Sequence, residues 1–311
     1  MSTTGTHRQP GFAREGEGRR ALITGLRGFT GHYMERELLD AGYRVFGTAM
    51  PGEGVAENVF AVDLCDRAAV AAMVEQVQPD VVVHLAGIAF VGHGDAEQIY
   101  RVNVAGTRNL LEALAASTRP PSAVLLASSA NIYGNASVPF IDEHVAPAPA
   151  NDYAVSKLAM EYMARLWMDR LPIIIARPFN YTGRGQSENF LLPKIVSHFR
   201  RKAPQIELGN LAIARDFSDV RMVAHSYRGL LAAAPAGEVF NICSGRSHSL
   251  SGVIDMMSEI AGYRIEVRVN PAFVRANDVL TLTGDNTKLA GVIGSVQTRP
   301  LSETLRWMYE A

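Results

Sequence analysis

The chain has 311 residues, a net charge of −1 and two cysteines. That balance supplies no general basic field for nucleic acid, and no apolar run approaches the roughly 20 residues of a membrane span. Cys65 and Cys243 stand far apart and, like the histidines, match no metal spacing, which reads as two free thiols of a reducing cytoplasm and no metal site. Residues 1–18, rich in Gly, Arg, Ser, Thr and Glu, lack an apolar leader core and are expected to form a disordered tail.

Ala21 to Ile23 has the apolar run of a buried parallel strand. Gly25, Gly28 and Gly31 follow at three-residue spacing, and a helix is predicted over His32–Leu39. Strand, glycine loop and helix place a pyrophosphate at a helix N-terminus, where free N–H groups and the positive dipole end meet the anion. Tyr43–Thr48 and Val59–Val62 predict further strands, Arg67–Val77 a helix, and Val81–Leu85 a β-branched strand. Dinucleotide folds often end their second strand on an acid that binds the ribose. Here Thr48, Ala49 and Met50 occupy that stretch, and the first acid is Glu53. A long helix is predicted over Ala96–Ala116, strands over Val124–Ala127 and Pro172–Ala176, and between them a helix over Tyr153–Leu166 that Asn151 or Asp152 caps. This alternation predicts a parallel sheet covered on both faces and doubly wound.

Beyond Arg177 the rhythm changes. Helices are expected over Phe190–Arg200, Val220–Ala234, Ser251–Ala261 and Leu301–Glu310, and short strands over Val239–Ile242 and Ile265–Val269. Ile206–Asp216 reads as a hairpin around Gly209-Asn210. The expected division is residues 19–177, with later segments returning to the sheet, as a dinucleotide-binding part, and 178–311 as a smaller α/β substrate lobe.

Tyr153 and Lys157 stand four residues apart, on one helical face. A neighbouring ammonium stabilises phenolate, so the phenol pKa is expected to fall from ~10 toward working pH, suiting proton transfer to or from a carbonyl or alcohol oxygen. His84, on an apolar strand, reads as a packed core imidazole rather than a ligand.

Seven motifs together carry a resemblance: Thr24-Gly-Leu-Arg-Gly-Phe-Thr-Gly31, Asp63-Leu64, His84-Leu-Ala-Gly87, Asn103-Val-Ala-Gly-Thr107, Ser128-Ser-Ala-Asn-Ile-Tyr-Gly134, Tyr153-Ala-Val-Ser-Lys157 and Arg177-Pro-Phe-Asn180. From about Arg20 onward the chain resembles the extended short-chain dehydrogenase/reductase family of nucleotide-sugar enzymes. The stretches Arg177–Gln186, Leu208–Phe217 and Val274–Leu280 narrow the resemblance to its GDP-mannose branch, and within that to GDP-4-dehydro-6-deoxy-mannose reductases.

The resemblance implies a Rossmann-type fold and a set of roles. Ser129 would bond the reacting oxygen, Tyr153 would be the acid or base, and Lys157 would also hold the nicotinamide ribose. Gly25, Arg27, Gly28, Phe29, Thr30, Gly31, Leu64, Leu85, Ala86, Gly87 and Asn103 would line the cofactor, with Asp63 on its adenine. Asn131 and Lys194 would contact the substrate, and Asn180, Arg215 and Arg275 its diphosphate, as guanidinium groups fork onto phosphate oxygens. Taken alone, Arg215 beside Asp216 also reads as a surface ion pair.

The expected activity is NAD(P)H-dependent reduction of the C4 keto group of a GDP-linked 4-keto-6-deoxy sugar, hexose or heptose, in deoxysugar or polysaccharide biosynthesis. The alternatives are a 4,6-dehydratase or epimerase of the same family, and a dinucleotide-binding regulator without chemistry. Related dehydratases carry Glu two residues after the Ser or Thr, where this chain has Asn131, an amide that cannot serve as a carboxylate acid or base. NADP(H) is the preferred cofactor, from the missing acid at Thr48–Met50 and from Arg27 in the loop, with NAD(H) also admitted. A cytoplasmic homodimer built on Ala96–Ala116 and Tyr153–Leu166 is expected, on the apolar content of both helices, including Met160, Met163 and Leu166.

Overall fold

The computed structural model describes residues 14–54, 56–89, 95–136, 138–211, 213–273 and 281–311. Seven strands form one parallel sheet: β1 (Arg20–Thr24), β2 (Arg44–Ala49), β3 (Val59–Ala61), β4 (Val81–His84), β5 (Ala123–Ala127), β6 (Ile173–Pro178) and β10 (Val239–Ile242). Their order is β10-β6-β5-β4-β1-β2-β3, so the strand order reverses between β1 and β4, where doubly wound Rossmann-type sheets open a crevice.

The sequence dictates this burial directly. Along β1, Ala21 and Ile23 face one apolar layer and Leu22 the other. β4, β5 and β6 alternate likewise, which is why they read as continuous apolar runs rather than half-polar ones. One layer is closed by α1 (Phe29–Asp40) and α7 (Val220–Ala233), through Met34, Leu38, Met222, Tyr227 and Leu230. The other is closed by α2 (Arg67–Val77), α4 (Thr107–Ala116) and α5 (Asp152–Arg165), through Val70, Met73, Leu110, Leu114 and Met160. Met160 is therefore core, and not part of any second apolar face of α5.

The expected helix over 96–116 is interrupted. α3 (Ala96–Tyr100) passes into α4 through a π-helical segment, Arg101–Gly106, that turns Asn103 inward.

The expected hairpin over 206–216 does not form. β8 (Gln205–Leu208) pairs in parallel with β12 (Glu266–Val269), whereas β9 (Ala214–Asp219) joins a second sheet with β7 (Asn180–Thr182), β11 (Ser247–Ser249) and β13 (Thr281–Leu282). Gly209 serves close packing: a Cβ there would lie 2.6 Å from the Phe273 carbonyl oxygen. α6 (Leu191–Arg200), α8 (Leu250–Ala261) and α10 (Leu301–Tyr309) enclose a separate core with β8, through Ile195, Phe199, Val253, Met257, Leu305 and Ile206.

Residues 14–18, read from the sequence as part of a disordered tail, form a turn against the end of α1 and against α7. Gly16 N donates to the Ala41 carbonyl, and the Glu15 carboxylate takes both Nε and NH2 of Arg228 at 2.8 and 3.1 Å. A partly buried bidentate ion pair fixes what composition alone marks as unstructured. Residues 1–13 lie outside the described residues.

Candidate active site

The glycine loop starts at Gly25, whose φ of +72° suits a residue without Cβ. A Cβ there would also meet Ala86 N at 2.9 Å. Gly28 caps α1 without a side-chain hydrogen bond, and the helix begins at Phe29, three residues earlier than the apolar periodicity indicates. Gly31 thus lies inside the first turn, and a Cβ on it would stand 2.3 Å from the Leu26 carbonyl oxygen. The close approach of loop and helix leaves the N-terminus of α1 at the C-terminal edge of the sheet, where its first-turn N–H groups could hold an anion.

Thr48 braces this loop: its Oγ1 accepts from Gly25 N at 3.1 Å and its carbonyl from Leu26 N at 3.0 Å. Beyond β2, Glu53 folds back to accept from Met50 N, while the exposed Arg27 guanidinium reaches the Gly54 carbonyl at 3.4 Å. Asp63 accepts from Cys65 N at 2.9 Å and stands 4.0 Å from Arg101, and Leu64 is buried beside it.

After β4, Leu85, Ala86 and Gly87 run past the glycine loop. Asn103 is buried with its amide fully engaged: Oδ1 accepts from Ile88 N, and Nδ2 donates to the Ile88 carbonyl and to Ser156 Oγ. It shapes the loop rather than offering free polar atoms. His84 is a satisfied core imidazole, as the sequence indicates. Thr107 donates to the Asn103 carbonyl, so His84 donates from Nε2 to Thr107 Oγ1 and accepts at Nδ1 from Thr24. Burial, reinforced by the Lys157 charge, pushes its pKa down to about 3.

Ser129, Tyr153 and Lys157 converge at the end of β5, all nearly buried. The Tyr153 phenol lies beside the Ser129 hydroxyl. Lys157 Nζ donates to the Ala127 carbonyl at 2.8 Å, and burial pulls its pKa down to about 8 against the raising effect of Glu161. The phenol departs from expectation. Burial pushes its pKa up to about 12, outweighing the lowering effect of Ser129. Desolvation wins here because the ammonium, committed to the Ala127 carbonyl and with its own pKa at about 8, is already neutral at the pH where so buried a phenol ionises. Asn131, exposed, gives its backbone N–H to Ser129 Oγ at 3.1 Å.

On the second sheet, Asn180 is exposed at the start of β7, and Arg215 lies on β9 with NH1 on the Ala214 carbonyl. Asp216 is not its surface ion-pair partner. It is fully buried and accepts from Ser244 N, Ser244 Oγ and Gly245 N. Lys194 sits 4.7 Å over the Phe273 ring with Nζ on the Glu207 carbonyl. Arg275, and the stretch Val274–Leu280, lie outside the described residues.

Sequence reasoning missed Tyr181. Its hydroxyl shares a 2.8 Å hydrogen bond with Thr30 Oγ1, and its ring stacks on Phe29, which ties the glycine-loop helix to the second sheet. It also missed the buried Glu161–Arg177 pair behind Ser128. The repeat of the four-residue spacing at Tyr153, Lys157 and Glu161 was its visible signal.

Residues 22–308 match the family described as GDP-mannose 4,6 dehydratase. The chain belongs to that family. It is 35% identical to the GDP-6-deoxy-D-talose 4-dehydrogenase of Aggregatibacter actinomycetemcomitans, covering 88% of this chain and 91% of that protein. It is 31% identical to the GDP-6-deoxy-D-mannose reductase of Pseudomonas aeruginosa, over 92% of this chain and 95% of the other. Among solved structures, a Burkholderia cenocepacia J2315 protein assigned provisionally as an epimerase superposes with a TM-score of 0.91 at 55% identity, covering 95% and 98% of the two chains. RMD from Pseudomonas aeruginosa, solved with NADPH, superposes with a TM-score of 0.83 at 29% identity, over 94% and 98%. Among the described residues no helix is long and apolar enough to cross a membrane.

Proposed function

We propose that this chain reduces the C4 keto group of a GDP-linked 4-keto-6-deoxy sugar, GDP-4-dehydro-6-deoxy-mannose or a related heptose, with NADPH as the preferred and NADH as an admitted cofactor. The observation that carries the reading is the convergence of Ser129, Tyr153 and Lys157 at the end of β5, a hydroxyl, a phenol and an ammonium gathered in one nearly buried site. A phenol beside a hydroxyl donor can give its proton to a reduced carbonyl oxygen, and the ammonium can steady the phenolate that remains. Two relatives named for GDP-6-deoxy sugar oxidoreduction at 35% and 31% identity support the same reading.

The loop around Gly25, Gly28 and Gly31, with Phe29 and Thr30, suits a dinucleotide pyrophosphate, because glycines at 25 and 31 let it fold closely against Ala86 and the first turn of α1 and leave that helix N-terminus open to an anion. Asp63 and Leu64 would face the adenine, and Leu85 to Gly87, shaped by Asn103, the remainder of the cofactor. Arg27, reaching toward Gly54 with Glu53 turned onto Met50 N, suits a ribose 2′-phosphate, and the NADPH of the Pseudomonas structure agrees. The bound cofactor supplies the hydride. Ser129 and Tyr153 donate to the C4 oxygen as negative charge develops on it, Tyr153 gives up its proton, and Lys157 steadies the phenolate left behind. Asn180, Arg215, Lys194 and Arg275, with Asn131 at the mouth, are assigned to the sugar nucleotide. Residues 19–177 with α7 and β10 then form the cofactor side, and most of 178–311 the sugar side. Cytoplasmic placement, a homodimer and a role in deoxysugar or polysaccharide biosynthesis belong to the same reading.

Asn131 disfavours dehydration, since an amide offers no carboxylate for water elimination. Convergence of Ser129, Tyr153 and Lys157 disfavours a regulator without chemistry. The Burkholderia structure favours an epimerase as second reading, which would first require Tyr153 as a base. The test is NADPH oxidation at 340 nm with GDP-4-dehydro-6-deoxy-mannose, with product NMR. Tyr153→Phe is expected to lower kcat by roughly 10²–10⁴ with KM little changed. Interconversion of GDP sugars without net cofactor use, or near-normal turnover in Tyr153→Phe, would overturn the assignment.

A further inference from the structure

One face of α5 meets the end of β5 at three successive points and is fastened to it at two. Tyr153, Lys157 and Glu161 stand four residues apart, and each meets a different residue of Ala127-Ser-Ser129. Tyr153 lies beside Ser129, Lys157 Nζ donates to the Ala127 carbonyl at 2.8 Å, and Ser128 Oγ donates to Glu161 Oε1 at 2.5 Å. Glu161, 1% exposed, also receives Arg177 Nε at 3.0 Å and NH2 at 2.7 Å. Arg177 comes from β6, the strand paired with β5, and its NH1 donates to the Tyr133 hydroxyl at 2.8 Å. Tyr133 in turn donates to Asn241 Oδ1 on β10, and Asn241 Nδ2 donates to the Ile141 carbonyl. Ser129 therefore lies on a short segment pinned at both ends, at Ser128 by the carboxylate and at Tyr133 by the guanidinium.

We propose that Glu161 and Arg177 are a positioning pair for the catalytic centre, holding Ser128 and Tyr133 so that the Ser129 hydroxyl is set against Tyr153 beside Lys157. The proposal rests on the catalytic reading of Ser129, Tyr153 and Lys157. A buried ion pair is a poor device for stability alone, because apolar residues of similar volume pack such a site as well without the desolvation cost. What apolar packing cannot do is direct hydrogen bonds onto two ends of a loop at once. The carboxylate also acts on Lys157, the next charge along the helix. The groups facing that ammonium are Tyr153 and Glu161 on α5, His84 on β4, which is held neutral, and, through Glu161, Arg177 on β6. Burial lowers the Lys157 pKa and Glu161 opposes it, so loss of the carboxylate charge lets the ammonium discharge at lower pH.

The test compares Glu161→Gln, Glu161→Asp and Ser128→Ala with wild type and Tyr153→Phe in the keto-sugar assay across pH, alongside the 13Cε shift of Lys157 in lysine-labelled protein, which reads its titration without turnover. Ser128→Ala, small and uncharged, is expected to lower kcat by roughly tenfold with KM unmoved and the Lys157 titration unchanged. Glu161→Gln is expected to lower kcat by roughly 10- to 100-fold and to move the Lys157 titration and the alkaline limb of the rate profile down by about one unit. Glu161→Asp, which keeps the charge, should restore the titration but not the full kcat. Melting temperatures that fall while kcat and the Lys157 titration stay at wild-type values would overturn the proposal. If Glu161→Gln does not fold, wild-type kcat in Ser128→Ala overturns it equally. Near-normal turnover in Tyr153→Phe is a distinct outcome, which sinks the catalytic reading itself.

Discussion

Replacing Gly31 with alanine sets two physical arguments against each other. Gly31 is in a helix, and Gly→Ala in a helix interior stabilises by about 1 kcal/mol on propensity alone. The new Cβ, however, would stand 2.3 Å from the Leu26 carbonyl oxygen and 2.5 Å from that of Gly25, and both are backbone atoms. An ordinary contact needs roughly 1 Å more. The loop is not free to yield it, because Leu26 N is bonded to the Thr48 carbonyl at 3.0 Å and Gly25 N to Thr48 Oγ1 at 3.1 Å. Breaking both costs roughly 1–3 kcal/mol, more if either group stays buried and unpaired. The balance is a net destabilisation of roughly 0–2 kcal/mol, larger where a freed N–H stays buried, together with a displaced loop at the helix N-terminus. Gly291, in α9 (Thr287–Ile293), has nothing within 4 Å of its Cβ position and isolates the propensity effect. Urea unfolding should place Gly291→Ala above wild type and Gly31→Ala below it, with NADPH affinity, read by fluorescence titration, lowered at least tenfold only in Gly31→Ala. A Gly31→Ala protein that is stabilised like Gly291→Ala and binds NADPH normally would refute the close-packing argument.

Two further outcomes follow from the loop and from the buried histidine. Arg27→Ala should raise the KM for NADPH by roughly tenfold while leaving that for NADH near its starting value, because only the former carries a 2′-phosphate for the guanidinium; an NADH preference in wild type that survives the substitution removes the basis for the assignment. His84 is neutral in the fold with its pKa near 3, whereas the unfolded chain protonates it near 6.5. Stability from this group is therefore complete above about pH 6.5 and is lost as pH falls toward 3, at up to about 1.4 kcal/mol per pH unit, and His84→Gln should flatten that slope in denaturant titrations between pH 4.5 and 7.

The main sheet was legible because burial on both faces leaves strong apolar runs, and because each crossover helix carries its own periodicity. The strand partners of the later half were not, since period-two alternation at Ile206 and Leu208 marks a strand without naming its neighbour. Gly209-Asn210 resembles hairpin chemistry, yet the glycine answers to Phe273, more than sixty positions away, and no local rule reads that. Tyr153, Lys157 and Ser129 were legible as residue types at fixed spacing. The direction of the phenol pKa was not, because spacing reports that Lys157 is near but not how deeply Tyr153 is buried. Asn103 shows the converse limit: the motif marks the residue, and only coordinates show its amide already bound to Ile88 and Ser156.

The dimer proposal rests on α5, and the structure changes which residues carry it. Tyr153, Lys157 and Glu161 line the inner face, and Met160 and Ala164 are in the core. The opposite face presents Val155, Tyr162 and Leu166, exposed by 38, 58 and 79%. With Ala159 they recur at the three- and four-residue steps of an apolar seam. The outer face of α3 and α4 offers less, since Glu97, Arg101 and Arg108 stand there around Ala105. An isologous contact brings the α5 stripe near its own copy across a two-fold axis, so one substitution enters the interface twice. Tyr162→Glu with Leu166→Glu therefore places four carboxylates in a contact that otherwise excludes water, a cost of several kcal/mol that no surface ion pair offsets. Sedimentation at micromolar concentration is expected to give a dimer for wild type and a monomer for the double variant, with the monomer's melting curve still cooperative because neither residue belongs to the core. A wild-type monomer, or a dimer that survives both substitutions, would place the contact elsewhere or remove it.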